Sequence, residues 1–149
     1  MFSVVLVHPE IPPNTGNVIR LCANTGVALH LVEPLGFRID DRELKRAGLD
    51  YWEHLHVAMY PSLDAFLEAT ATQRRWFFST RAKTPYADAL FERGDMLVFG
   101  RETKGLPESL LAENSDNCLT IPMQGMRSLN LATAVGIVLF EAVRQQSVA

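Results

Sequence analysis

The chain has 149 residues, of which 48% are hydrophobic and 21% are charged, and its formal net charge at pH 7 is −3. This length and composition fit one compact domain over residues 1–149 and exclude a disordered or low-complexity chain. The negative charge argues against a protein that coats nucleic acid non-specifically, because such domains are usually basic, although a local basic patch stays compatible with it.

The N-terminus and the cysteines favour a cytoplasmic protein. The first residues lack the basic start and the small-residue cleavage site of a signal peptide. The two cysteines, Cys22 and Cys118, each stand alone in an apolar run, and we interpret them as buried, reduced thiols. Neither lies in a cluster with metal-ligand spacing, and the four histidines are scattered, so the sequence predicts no metal site.

Apolar runs alternate with amphipathic segments from one end of the chain to the other. In the first half the pattern predicts a strand at Val4–His8, a helix at Asn17–Thr25 ended by Gly26, a strand at Ala28–Val32, a helix capped by Asp40 or Asp41 that runs through Ala47, a strand at Leu55–Met59 and a helix at Leu63–Ala71 capped by Ser62. In the second half it predicts strands at Arg75–Thr80 and Asp95–Gly100, a helix at Glu108–Asn114, a strand at Asn117–Met123 and a long helix at Leu129–Gln146, with Pro85–Arg93 ambiguous. This alternation predicts an α/β fold with a mostly parallel, six-stranded sheet and helices on both faces.

The final helix has almost no polar face between Leu131 and Phe140. Such a segment is too short to span a bilayer, so a buried helix is the better interpretation. A helix that is apolar all round must be covered all round, and one small sheet covers only one side. We therefore predict a homodimer in which a second subunit supplies the remaining cover; a central helix in a monomer is the alternative.

Three loops follow predicted strands, at the sheet edge where open α/β sheets bind their ligands. Loop 1 (Pro9–Pro13) leads to Asn14 and Thr15, which are helix-capping residue types, and to Arg20 in an otherwise apolar stretch. That arginine is open to two interpretations, a surface salt bridge or a functional cation.

Loop 2 (Gly100–Pro107) has glycines at both ends of its turn, Gly100 and Gly105. This arrangement exposes backbone amides to a ligand, or it is a plain strand-to-helix turn. The lysine and hydroxyl residue of a P-loop do not follow Gly105, and the first strand is not followed by a dinucleotide-binding glycine pattern.

Loop 3 (Ile121–Asn130) begins with the rigid apolar ledge Ile-Pro-Met and contains Ser128, which we predict to cap the last helix.

The three loop sequences, taken together and in this order, resemble the motifs of the SPOUT, or alpha/beta-knot, RNA methyltransferases. They read PEIPPNTGNVIRLCANTG, FGRETKGLP and IPM followed by RSLNLATAV. The similarity runs along essentially the whole chain and is greatest to the minimal members that methylate the 2′-hydroxyl of the wobble nucleotide of tRNA. One departure is a stretch between Pro122 and Arg127 that is a residue shorter than the family pattern.

This resemblance implies a C-terminal deep trefoil knot, S-adenosylmethionine as cofactor, no metal, tRNA as partner, and a homodimer formed through the first and last helices. It implies catalytic roles for Arg20 and Asn130. The cofactor-binding residues that it implies are Phe78, Gly100, Gly105, Leu106, Ile121, Met123, Ser128 and Leu129. With no appended RNA-binding domain, tRNA must dock on the dimer itself, and the candidate RNA-binding residues are Arg20, Arg42, Arg46 and Arg127, among a wider set of Lys45, Arg74, Arg75, Arg81 and Lys83.

Three alternatives stay open. The first is a methyltransferase of the same family that acts on rRNA or on another tRNA position. The second is a dimeric RNA-binding protein that has lost catalysis, and the third is a phosphate-ester enzyme on a flavodoxin-like sheet.

Overall fold

A computed structural model describes residues 1–48, 55–125 and 128–147. Its centre is one seven-stranded sheet with the strand order β3-β2-β1-β6-β4-β7-β5, in which all six strand pairs run parallel. The strands are β1 (Ser3–Val7), β2 (Ala28–Val32), β3 (Val57–Tyr60), β4 (Arg75–Phe78), β5 (Thr84–Pro85), β6 (Met96–Phe99) and β7 (Cys118–Thr120).

Helices cover both faces of this sheet, which confirms the predicted α/β class. Alternate residues of β1 point to opposite sides, so Val4 and Leu6 belong to one core while Val5 and Val7 belong to the other. The first core includes residues of α1 and α5, and the second includes residues of α3 and α4. The helices are α1 (Pro12–Thr25), α2 (Arg42–Gly48), α3 (Leu63–Ala69), α4 (Glu108–Glu113) and α5 (Leu131–Ser147).

The predicted count of six strands is wrong, because the sheet has a seventh strand, β5. It consists of Thr84–Pro85 and pairs with β7 at the sheet edge. Two residues are too few to show a hydrophobic period, and proline is tolerated at an edge where no inward N–H is needed. The sequence therefore gave no signal for this strand in the segment that it left ambiguous.

The first helix begins at Pro12, five residues before the predicted start at Asn17. Asn14 and Thr15 are buried inside its first turns and do not cap it. The reason is that prolines at the first two helical positions already have a helical φ and no N–H to satisfy. At the other end Gly26 terminates the helix in the left-handed conformation, as predicted.

The last helix begins at Leu131, and Asn130 caps it in place of the predicted Ser128. The Asn130 side-chain oxygen accepts a hydrogen bond of 3.2 Å from the backbone N–H of Thr133. Both residue types are good caps, and the tertiary contact of Asn130 described below decides between them.

Other local predictions are confirmed. Asp41, and not Asp40, caps α2 through the N–H groups of Glu43 and Leu44, and Ser62 caps α3. Cys22 and Cys118 are buried and free, and burial raises the pKa of the Cys22 thiol to about 12. Across the described ranges, no helix combines the length and the hydropathy needed to cross a bilayer.

One side of α5 lacks cover within the chain. Phe140 is 54% exposed and Thr133 is also exposed, whereas Val135, Val138 and Leu139 are fully buried. An exposed phenylalanine on a helix this apolar leaves an unsatisfied hydrophobic face, which bears on the quaternary structure proposed below.

Candidate functional site

A cleft of about 580 Å³ opens at the carboxyl edge of the sheet. Loop 2 and loop 3 supply most of its walls, the residues after β4 supply a third side, and His8 contributes from the end of β1. This is the edge at which parallel sheets gather the loops that bind ligands. Two of the three loops singled out in the sequence, loop 2 and loop 3, therefore meet in this cleft.

All eight residues predicted to bind the cofactor line this cleft. They come from β4, loop 2 and loop 3, which are far apart in the sequence: Phe78, Gly100, Gly105, Leu106, Ile121, Met123, Ser128 and Leu129.

One wall of the cleft is apolar. The rings of Phe78 and Phe99 stack with centroids 4.7 Å apart and an angle of 10° between their planes. Leu106 also lines the cleft and is buried, while Met123 and Leu129 are each more than a third exposed. A flat heteroaromatic ring or a thioether fits such a surface.

Loop 2 requires glycine at Gly100, where its two ends pack against each other. A Cβ atom on Gly100 would lie 2.2 Å from the carbonyl carbon of Gly105 and 2.3 Å from the backbone nitrogen of Leu106. The loop folds back on itself through a bridge between Arg101 and Gly105, whose φ of 67° favours glycine. The two glycines predicted from the sequence thus allow a tight turn whose backbone forms one wall of the cleft.

Side-chain hydrogen bonds connect loop 2 to the start of α1. The Glu102 carboxylate accepts hydrogen bonds from the backbone N–H groups of Glu10 (2.8 Å) and Ile11 (2.9 Å) and from the Asn14 side-chain amide (3.1 Å). In return, the Glu10 carboxylate accepts from the backbone N–H of Thr103 (3.0 Å) and from its hydroxyl (2.7 Å). Each loop therefore holds the other's backbone with a carboxylate.

Loop 3 joins the same network through two asparagines. The Asn130 side-chain amide donates to the Asn14 side-chain oxygen over 2.9 Å. Because Asn130 also caps α5, this contact fixes the start of α5 relative to the first turn of α1. Asn130, which the family resemblance implied to be catalytic, thus makes two structural hydrogen bonds beside the cleft.

Sequence reasoning missed Glu10, Glu102, Thr103 and His8. The signal available for the first three was polar side chains in loops that the fold brings together, but their partners are about ninety residues apart in the chain. His8 lines the cleft with a φ of 54°, and its Nδ1 atom is buried without a hydrogen-bond partner among the described residues. In the sequence the four histidines are scattered, so their pattern does not single out His8.

The predicted RNA-binding arginines lie outside the cleft of their own chain. Arg20 is exposed on α1 and does not line the cleft, while Arg42 and Arg46 are exposed on α2, which packs against α1. Arg127 lies outside the described residues. Arg81 lines the cleft and forms an ion pair with Glu108, the first residue of α4.

Two other arginines of the wider basic set have structural partners at the opposite edge of the sheet. Arg74 pairs with Glu92 and Asp95, and Arg75 donates to the Leu67 carbonyl and the Thr70 hydroxyl. These bonds give both arginines a role in holding the fold.

The fold and the cleft define a parallel α/β protein that binds a ligand between the loops at the carboxyl edge of its sheet. The profile of the SpoU rRNA Methylase family matches residues 1–140. The chain therefore belongs to the SpoU methylase family.

Individual relatives give more detail. A tRNA (cytidine(34)-2'-O)-methyltransferase from Saccharophagus degradans is 50% identical over 147 residues, which cover 97% of this chain and 96% of the relative. A structure solved for insight into the 2-OH methylation of C/U34 on tRNA is similar with a TM-score of 0.94 and 48% identity, covering 100% of this chain and 98% of that one. An rRNA methyltransferase from Sinorhizobium meliloti, solved with AdoMet bound, has a TM-score of 0.85 and 27% identity, and the match covers 96% of this chain and 56% of that one.

The residues present fit S-adenosylmethionine. The cleft has the volume of a site for a drug-sized ligand, and it combines an apolar stacked-ring wall with a wall formed by the backbone of the loop 2 turn. Among residues 1–48, 55–125 and 128–147, no cluster of His, Cys, Asp and Glu could hold a metal ion.

Proposed function

We propose that this chain transfers the methyl group of S-adenosylmethionine to the ribose 2′-hydroxyl of the wobble nucleotide of tRNA. The observation that carries the proposal is the convergence of all eight predicted cofactor residues on one cleft. The near-complete coverage of relatives named for methylation at position 34 supports this substrate over rRNA or another tRNA position. A tRNA substrate in turn favours a cytoplasmic protein.

We further propose that residues 1–149 form one SPOUT domain whose C-terminal segment is threaded into a deep trefoil knot. The relatives and this chain cover each other almost completely, which supports a single domain. Two features of this structure are compatible with a knot: loop 2 and loop 3 pack around the same cleft, and α5 returns to pack beside α1.

A homodimer would complete the site. The exposed face of α5 around Phe140 offers an apolar contact surface, and α1 with Arg20 lies next to it. Because Arg20 does not line the cleft of its own chain, we propose that it acts at the cleft of the partner subunit.

The reaction is an in-line displacement at carbon. When bound, S-adenosylmethionine supplies a methyl group activated by a sulfonium, so the sulfur–carbon bond breaks as the bond from the ribose oxygen forms. The residues of the chain must bring that oxygen close and collinear, and such positioning is worth several kcal/mol. The proton of the hydroxyl leaves with a base.

Arg20 serves this step electrostatically. A guanidinium keeps its charge in proteins, so it is a poor proton acceptor and a strong partner for phosphate. In this proposal Arg20 holds a flanking phosphate and stabilises the charge that develops on the ribose oxygen, while an oxygen of the substrate phosphate takes the proton. Asn130 holds the start of α5 beside the reacting groups.

The remaining sites follow from position. The eight cleft residues named above would hold the cofactor, while Arg42 and Arg46 on α2 extend the charge of Arg20 across neighbouring helices towards tRNA. Arg127 completes the proposed RNA-binding set. Contacts of this kind go to phosphates and weaken as salt rises.

Mass spectrometry of digested tRNA tests the activity directly. Unmodified tRNA is incubated with purified protein and S-adenosylmethionine, and one part is then digested to nucleosides and another part to oligonucleotides. We expect a 2′-O-methylated pyrimidine nucleoside and a methylated oligonucleotide that contains position 34. A folded protein that binds the cofactor yet yields no 2′-O-methylnucleoside would support the alternative of a non-catalytic RNA-binding dimer. Methylation at another tRNA position, or of rRNA fragments only, would move the substrate to the corresponding alternative.

A further inference from the structure

The start of α1 lacks the local features that normally stabilise a helix N-terminus. Its N-cap residue is Ile11, which has no capping side chain, and the first turn has no acidic residue. Pro12 and Pro13, at the first two helical positions, have no N–H, and the N–H groups of Asn14 and Thr15 bond to the Ile11 carbonyl. The positive end of the helix dipole and the N–H groups of Glu10 and Ile11, which precede the helix, therefore need an acceptor from another part of the chain.

Loop 2 supplies the cap from a distant part of the chain. The Glu102 carboxylate binds the N–H groups of Glu10 and Ile11 and the side chain of Asn14, so one anion satisfies three donors at the helix start. A charge at this end of a helix is favourable, and hydrogen bonds to a charged group are stronger than neutral ones. The beginning of α1, and through it the direction in which Arg20 projects, depends on loop 2.

Loop 2 in turn depends on Glu10. The tip of loop 2 is exposed at Thr103 and Lys104, and it is held by the two bonds from Thr103 to the Glu10 carboxylate. Those bonds, the hydroxyl first, hold the pKa of the Glu10 carboxyl below its ordinary value. Glu10 therefore stays ionised at neutral pH and keeps accepting both hydrogen bonds.

We propose that Glu10 is a positioning residue for methyl transfer, forming with Glu102 a two-carboxylate clasp between the cofactor cleft and the helix that carries Arg20. The clasp comprises Glu10, Glu102 and Thr103. The clasp couples two parts of one subunit. When loop 2 is ordered around the cofactor, the start of α1 is also ordered, and this helix carries the Arg20 that the subunit presents to its partner. This inference rests on the proposed function for its effect on turnover.

Two variants test the clasp, and they remove different numbers of its hydrogen bonds. Glu10→Ala removes the acceptor, and Thr103→Val removes only the hydroxyl donor while keeping the shape of the side chain. Glu68→Ala is the matched control, because it removes an exposed carboxylate from the last turn of α3, away from the cleft. Circular dichroism and thermal melting establish that each variant is folded.

Calorimetry with S-adenosylmethionine alone is the first readout. The loss of charge-assisted hydrogen bonds should raise the dissociation constant of the cofactor about tenfold in Glu10→Ala and about threefold in Thr103→Val. Glu68→Ala should leave this constant unchanged. Because both changes break one interaction, the double variant binds no more weakly than Glu10→Ala alone. Additive losses would overturn the clasp.

Turnover on tRNA is the second readout. In Glu10→Ala and Thr103→Val we expect kcat to fall and the KM for the cofactor to rise, because the helix that carries Arg20 loses its anchor. A lower melting temperature with unchanged cofactor affinity and unchanged kcat would show a merely structural role and would overturn the proposal.

Amide hydrogen exchange on the cofactor-free protein separates this inference from the proposed function. Thr103→Val should speed exchange at the Glu10 and Ile11 amides, which lie on the other side of the clasp and do not contact Thr103 through their own N–H groups. A wild-type protein that neither binds S-adenosylmethionine nor methylates tRNA contradicts the proposed function, whereas unchanged exchange at these amides contradicts the clasp.

Discussion

At both the amino edge of the sheet, where its strands begin, and the carboxyl edge, where they end, one carboxylate binds several donors. The two carboxylates serve different purposes. At the amino edge, the buried Asp95 carboxylate accepts hydrogen bonds from the Trp76 indole N–H (2.9 Å) and the Glu92 backbone N–H (2.8 Å) and pairs with Arg74. At the carboxyl edge, Glu102 likewise collects three donors, but beside a cleft that it lines.

The difference lies in what surrounds each carboxylate. The Asp95 side chain is 2% exposed, and neither it nor its three partners line the cleft. The bonds of Asp95 join groups of the protein only, and they hold the strand ends together. Around Glu102 the same kind of bond shapes loop 2, which lines the cleft. Substitutions at the amino edge should therefore change stability, and those at the carboxyl edge should change binding and turnover.

The largest expected effect is on turnover. Arg20→Lys keeps the charge and loses the forked donor geometry, so kcat should fall about 100- to 1000-fold while calorimetry shows unchanged cofactor affinity. Arg74→Lys at the opposite edge is the control and should leave kcat unchanged. Near-native turnover of the Arg20→Lys protein would remove the proposed role of this residue.

The next effect concerns the amino edge and should appear in stability alone. Asp95→Ala leaves the Trp76 and Glu92 N–H groups without their acceptor, and it should lower the free energy of unfolding by about 3 kcal/mol in chemical denaturation. Glu92→Ala removes an exposed partner of Arg74 and should lower it by less than about 1 kcal/mol.

Cofactor affinity links this test to the comparison of the edges. The folded Asp95→Ala protein should bind S-adenosylmethionine as tightly as the unaltered chain. A higher dissociation constant in the folded variant would mean that the amino edge also affects cofactor binding.

Gly100→Ala should have a smaller effect, confined to the carboxyl edge. Its Cβ would meet the backbone of Gly105 and Leu106, so loop 2 must shift and the cofactor dissociation constant should rise at least about tenfold. Gly125→Ala is the matched control in loop 3, because, its chain neighbours aside, no atom of the described residues lies within 4 Å of its Cβ position. Equal calorimetric affinities for the two variants would show that loop 2 tolerates the displacement.

The sequence predicted the parts of the molecule that depend on local pattern. The buried strands and the caps at Asp41 and Ser62 follow from residues that are neighbours in the chain, as does the end of α1 at Gly26. The eight cofactor-binding residues were predicted from the family motifs. Strand β5 escaped because two residues show no period.

The long-range contacts were beyond prediction for a different reason. Nothing near Glu10 or Glu102 in the sequence specifies that the two loops exchange carboxylates, since each bond joins residues about ninety positions apart. The start of α1 was misplaced for the same cause: its cap comes from loop 2, so a search for a local capping residue selected Asn14 and Thr15 instead. Similarly, the contact with Asn14 favours Asn130 over Ser128 at the start of α5.

The smallest expected effect is a pH dependence that belongs to the carboxyl edge. Hydrogen bonds from Thr103 hold the pKa of the Glu10 carboxyl below its ordinary value of about 4.3, so the folded state favours its ionised form. That stabilisation is fully present above the ordinary pKa and is lost as the pH falls through the lowered pKa in the folded protein. Between pH 8 and pH 5 the clasp should therefore contribute no change in cofactor affinity.

As the pH falls through the lowered pKa of the Glu10 carboxyl the clasp should open, because a protonated Glu10 accepts the Thr103 hydrogen bonds poorly. The measurement is exchange of the Ile11 amide, corrected for its intrinsic rate, in the unaltered protein and in Glu10→Gln from pH 6 to pH 3. Protection should fall with acid in the unaltered chain by more than in the glutamine variant, which has no carboxyl to protonate at this position. Parallel profiles would assign the acid response to groups elsewhere in the fold and would leave the carboxyl edge no more sensitive to acid than the amino edge.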